Sequence, residues 1–173
     1  MSIDGCESTF EDLATKILPK YMSDLNDAMR NPHRMTVFCT PGDGVKTIAK
    51  KLGKEDDFSG CYVLLRRDSK PLYVGISRGV IGRLRQHVTG TTHFDATLAY
   101  RMASKKVRHG KTQAIAMKDR VFRQAFKSKQ RFLKGCTAAF IEIPKRKAVD
   151  LYLFEAYCAM ELNTCEWNTF RTH

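Results

Sequence analysis

Five side chains of this 173-residue chain have types and spacings that could do chemistry: Tyr62, Tyr73, Arg83, His87 and Glu155. Each has a structural reading beside the chemical one. A guanidinium is planar, permanently charged and shaped to hold a phosphate, although an arginine on an amphipathic helix is commonly a plain surface residue. An imidazole can hold an anion or pass a proton near neutral pH, or it can sit in a core. A carboxylate among apolar neighbours needs a cation, a hydrogen-bond donor or a proton. On a helix, the positions around Glu155 are Leu151, Tyr152, Cys158 and Ala159, none of them charged, and a structural ion pair would satisfy it as well as a bound cation. The two phenols could position groups or exchange protons, or be half-buried strand aromatics.

The elements that must position these side chains can be read from local pattern. Residues 61–65 and 71–76 are short runs rich in β-formers around the turn residues Arg67, Asp68, Ser69 and Lys70, which reads as a β-hairpin. With Asp68 and Ser69 at the turn centre, Tyr73 pairs with Leu64 and Gly75 with Tyr62, so the two phenols share a face as diagonal neighbours. A helix over about 77–88, stopped by Gly90, places Arg83 and His87 on one stripe, four residues apart. Further helices are expected over 7–30 (capped by Ser8 or Thr9, with Pro19 kinking or dividing it), 45–52, 94–106, 114–133 and 145–162. Strands are expected at 35–39 and 136–143. The order of these helices and strands implies an α+β fold. Residues 1–57 form an N-terminal helical extension and 58–173 the domain that carries the five side chains.

Charge supports that division. The net charge is +12, and all of the excess lies late: residues 1–57 sum to −2 and residues 58–173 to +14. From Arg101 to Lys134 there are twelve basic residues and one acid, Asp119. So one-sided a field attracts a polyanion and points to nucleic acid ahead of an anionic membrane surface. Arg78, Arg85, Lys105, Lys106, Arg108 and Lys111 are the candidate backbone contacts. Phe122, Phe126 and Phe132 interleave with these cations but read as core residues of their helix. No apolar run approaches the roughly 20 residues that cross a bilayer, and the first residues show neither a basic start nor an apolar stretch, so a cytoplasmic protein is expected. The six cysteines and five histidines show no metal-ligand spacing; Cys61, Cys136 and Cys158 read as small core residues.

Four pieces in this order resemble the GIY-YIG nuclease superfamily: Gly60-Cys61-Tyr62, then Tyr73-Val74-Gly75, then Arg83 with His87, then Glu155 followed by Asn168. Either tripeptide alone is weak; the ordered set, spread over about residues 58–170, is far more specific. The departures are Cys61 and Val74 where Ile is usual, Ile76 where many members carry Lys (with Arg78 as a substitute cation), and a tail at 163–168 without the usual Pro.

The resemblance implies a small three-stranded antiparallel sheet flanked by helices. It also implies metal-dependent endonuclease activity on phosphodiester bonds in DNA, with RNA left open, and one divalent ion, Mg2+ or Mn2+, held mainly by Glu155. It implies Tyr62 as the general base, Tyr73 as a positioner of water or phosphate, and Arg83 as the stabiliser of the transition state. His87 would hold the phosphate or relay a proton. Gly75 would allow close approach to Tyr62, and Asn168 would fix the tail against the site. Two other readings stand beside it: a nucleic-acid-binding module that keeps the fold without catalysis, and a protein whose N-terminal helix docks a partner or a second copy.

Overall fold

In the computed structural model, which describes residues 3–109 and 112–170, the chain is α+β with a four-stranded antiparallel sheet. The strands are β1 (His33–Arg34), β2 (Gly60–Leu65), β3 (Pro71–Ser77) and β4 (Thr137–Glu142), in the order β1-β4-β2-β3. The helices are α1 (Phe10–Asp12), α2 (Leu18–Arg30), α3 (Val45–Lys51), α4 (Val80–Thr89), α5 (Thr97–Lys106), α6 (Gln113–Ala116), α7 (Arg120–Lys134) and α8 (Ala148–Glu161).

The sheet divides two cores by the two-residue alternation of strand side chains. Tyr62 and Leu64 face α4, α5 and α7, with Met35, Phe38 and Ile48 closing that layer. Cys61, Val63 and Leu65 face α2 and α8, against Leu18, Met22, Leu25, Phe154 and Cys158. Residues before position 58 thus line both cores. Cys61, Cys136 and Cys158 are buried, and none of the six cysteines is in a disulfide.

The hairpin has the expected register: Tyr62 opposite Gly75 and Leu64 opposite Tyr73. A bulge at Leu72 follows the turn, where Ser69 takes φ 63°. Three expectations are corrected. The sheet has four strands instead of three, because β1 adds to the free edge of β4 through a two-residue ladder too short to show a period. Residues Met35–Cys39, expected as a strand, form a 3-10 turn that buries Met35 and Phe38 on the α4 side; an apolar run of five cannot distinguish the two. The helix expected over 114–133 is two, because Asp119 accepts the Phe122 N–H and caps a new helix.

The N-terminal helix runs from Phe10 to Arg30 through a π-helical turn, Leu13–Ile17, just ahead of Pro19. There the ladder shifts to five-residue bonds, Leu18 N–H to Leu13 C=O, next to the residue that cannot donate. Thr9 caps its start. Among the described residues, no helix is long and apolar enough to cross a membrane.

Candidate active site

Tyr62, Tyr73 and His87 form a triangle of rings with centroids 5.7 to 6.3 Å apart. The hairpin register brings the two tyrosines together, and α4 brings the imidazole over them. Gly75 makes the approach possible: a Cβ there would stand 2.5 Å from Tyr62 Cζ, so the Tyr62 ring lies on bare backbone.

The Tyr62 hydroxyl is 2.7 Å from His87 Nε2. His87 is fully buried, and burial together with the positive charge of Arg83 pushes its pKa down to about 3, so the ring is neutral near pH 7. Among the described residues its Nδ1 has no hydrogen-bond partner. The direction of the Tyr62–His87 bond follows the imidazole tautomer: with the proton on Nδ1 the phenol donates to Nε2, and with it on Nε2 the ring donates to the phenol oxygen. Burial raises the Tyr62 pKa well above its ordinary value, as does the neighbouring Tyr73, and Arg83 opposes both by charge and hydrogen bonding. The resting site thus holds a neutral phenol hydrogen-bonded to a neutral imidazole.

Arg83, partly buried on α4, donates to Gln86 Oε1 (3.2 Å), Asp95 C=O (2.9 Å) and Thr97 Oγ1 (3.4 Å). Two of its five N–H groups remain for Tyr62 and for an anion. Tyr73 is raised first by burial and then by the negative charge of Glu155, while Arg83 and Arg101 lower it.

Glu155 projects from α8 at the β3 edge of the sheet, and its charge acts on both phenols. It is partly buried, and desolvation holds its pKa above the usual carboxylate value. Among the described residues it has no hydrogen-bond donor and no ion pair. The apolar helix signalled such a carboxylate, and a divalent cation fits it. No three His, Cys, Asp or Glu side chains among the described residues converge on one point, so Glu155 would be the one protein carboxylate, with water and phosphate oxygens completing the shell, a set that suits Mg2+.

Asn168 is buried and clamps the edge strand. Its Oδ1 accepts the Val74 N–H (2.9 Å) and its Nδ2 donates to the Val74 C=O (2.8 Å), as a further strand would. The residues on either side, Trp167 and Thr169, form one wall of a groove of about 630 Å³ whose other wall is α5, with Arg101 and Lys105. Lys105 lies over the Trp167 ring at 4.2 Å, and Arg101 donates to Thr169 Oγ1 at 3.0 Å. Arg101 was not singled out from sequence; its four-residue spacing from Lys105 was the available signal.

Of the remaining candidates, Arg78, Lys105, Lys106 and Arg108 are exposed and Arg85 is partly buried on α4. Lys111 lies outside the described residues. Phe122 and Phe126 are core residues, as expected, but Phe132 is 46% exposed. Set against known protein families, curated proteins and solved structures, the chain matches none of them.

Proposed function

We propose that the chain is a GIY-YIG-type endonuclease that hydrolyses phosphodiester bonds in DNA with one divalent ion. The observation that carries this reading is the convergence on the Tyr62 hydroxyl. His87 is hydrogen-bonded to it, Arg83 and Tyr73 act on it, and Glu155 stands within electrostatic reach from the opposite layer of the fold.

In this reading the Tyr62 phenol first releases its proton to solvent, and the phenolate, held by its hydrogen bond to His87 and by the charge of Arg83, then takes the proton of the attacking water. Arg83 also neutralises charge that builds on the phosphorane-like transition state. Tyr73 orients the water or a phosphate oxygen, and Glu155 holds the cation. Mg2+ or Mn2+ bound there supplies a Lewis acid for the phosphate and for the leaving oxygen. The α5 groove and the basic surface hold the strand beyond the site.

The burial of Tyr62, 1% exposed and with its phenol pushed well up, favours one competing reading, a module that binds nucleic acid without cutting it. Supercoiled, linear and branched DNA incubated with wild type and Glu155→Gln, with and without Mg2+ or Mn2+, separates the two. The wild type should cut only with metal. The variant should cut roughly 100- to 1,000-fold more slowly, a loss of several kcal/mol of transition-state stabilisation, and bind DNA as tightly. Absence of cleavage of every form by the wild type overturns the enzyme reading.

A further inference from the structure

The N-terminus of α8, about two helical turns before Glu155, carries a second feature. Residues Ser59, Ile76, Ser77, Arg78, Lys145, Ala148, Leu151 and Tyr152 surround a cavity of about 190 Å³. Ser59 is 6% exposed and, among the described residues, its Oγ has no hydrogen-bond partner, a cost that a buried hydroxyl ordinarily avoids. Helix α8 is fourteen residues long and starts without a side-chain cap, so its first N–H groups have no side-chain acceptor, and the carboxylate of Asp150 lies within its first turn. Arg78 and Lys145 are exposed and, among the described residues, have no ion-pair partner. Three acids near these elements are already engaged: Asp57 accepts the Ile81 and Gly82 N–H groups at the start of α4, Asp150 accepts from Tyr21 and pairs with Lys147, and Glu142, opposite Gly60, pairs with Lys54.

We infer that this cavity is a phosphate-binding subsite, made by Arg78, Lys145, the Ser59 hydroxyl and the N-terminus of α8, for a phosphate that neighbours the scissile one on the same strand. The inference rests on the nuclease reading for the identity of the strand, but not for the phosphate chemistry. Leu151 and Tyr152 line the cavity, and Glu155 follows them by four and three residues, so the cavity and the carboxylate share a face of α8. Ala148 lies roughly 10 Å along the helix axis from Glu155, at about 1.5 Å per residue. Across the sheet, Ser77 ends the strand that carries Tyr73 and Gly75. The cavity thus sits beside the five-residue site on two elements at once. An anion there would gain two cations, helix amides and an unused hydroxyl. No acidic side chain lines it.

Two measurements test this. In the first, inorganic phosphate is titrated into the full chain at low ionic strength and followed by 31P NMR, for wild type, Ser59→Ala and the double variant Arg78→Ala/Lys145→Ala. Binding should weaken about threefold in Ser59→Ala and at least tenfold in the double variant. Lys20→Ala, which removes a cation that does not line the cavity, should leave binding as it is. Equal binding by wild type and double variant overturns the subsite, as does an equal loss in Lys20→Ala.

In the second, a single neutral methylphosphonate is moved along a DNA strand. One position next to the cut should lower wild-type binding and cleavage about tenfold and have no further effect in the double variant. If phosphate binds but no position shows that coupling, the assignment to the substrate strand is overturned. Phosphate binding that the double variant loses, in a protein that cuts no DNA, upholds the subsite and sinks the nuclease reading. Cleavage with neither effect does the reverse.

Discussion

His87 shows how one buried ring ties the site to the stability of the fold. Its pKa falls from 6.5 to about 3 on folding, so between those values the unfolded chain binds a proton that the folded chain refuses. Stability therefore rises with pH across that window. The contribution is complete above about pH 6.5 and is lost on acidification, up to roughly 4–5 kcal/mol in all. Glu155 has the opposite sign. Its carboxyl is raised by desolvation, so the folded state keeps that proton to a higher pH than the unfolded state, and acidification through its folded pKa restores part of what His87 loses. Denaturant unfolding from pH 7.5 to pH 4 should show a net loss of stability in the wild type and a flatter profile in His87→Gln, which is weaker at neutral pH. Parallel profiles would exonerate His87. Gly75→Ala is the companion test of the ring contacts. The new Cβ would meet the Tyr62 ring at 2.5 Å, which should cost about 1–3 kcal/mol as overpacking, read as a lower melting temperature, and displace the phenol enough to suppress cleavage.

At the scale of elements, the site depends on β3 being held in register although it is an edge strand. Its inner side pairs with β2; on its outer side Asn168 supplies both a donor and an acceptor to Val74. Asn168→Ala should leave a buried N–H and C=O unpaired, at about 1–3 kcal/mol for each group. Amide exchange should report it locally, with faster exchange at Val74 while the β2–β4 ladder keeps its protection. Uniform acceleration across the sheet would mean that the side chain supports the whole fold and not the edge. The same clamp sets Trp167 and Thr169 opposite α5, so loss of binding by the groove should accompany the local fraying.

For the molecule as a whole, the relevant quantity is the distribution of charge. Residues 58–173 sum to +14, and the exposed cations on α5 and after β3 flank the five-residue site. If Arg78, Arg85, Lys105, Lys106, Arg108 and Lys111 each neutralise one phosphate, the logarithm of duplex affinity should fall against the logarithm of salt with a slope of about −5. Removing Lys105 and Lys106 together should bring the slope closer to zero by roughly 2 and weaken binding to all sequences alike. A slope above about −2 in the wild type would confine the contact to the site itself.

Local pattern alone determined the hairpin, its register and the pairing of Arg83 with His87 on one helical stripe, because side-chain direction follows from backbone period and from the turn residues at 67–70. It also marked Glu155 as anomalous, since a carboxylate among Leu151, Cys158 and Ala159 is partly withdrawn from solvent. Tertiary structure decided what lies between elements distant in the chain. The two-residue strand β1 exists only because the edge of β4 is free to pair. Met35–Cys39 became a turn because its apolar side chains were needed beneath α4. Burial of His87, and with it the orphaned Nδ1, depended on α4 closing over the sheet. The cavity at the start of α8 joins residues 59, 76–78 and 145–152, which meet only after the sheet has assembled. Periodicity is a property of neighbouring residues; desolvation and unpaired polar atoms belong to the packed whole.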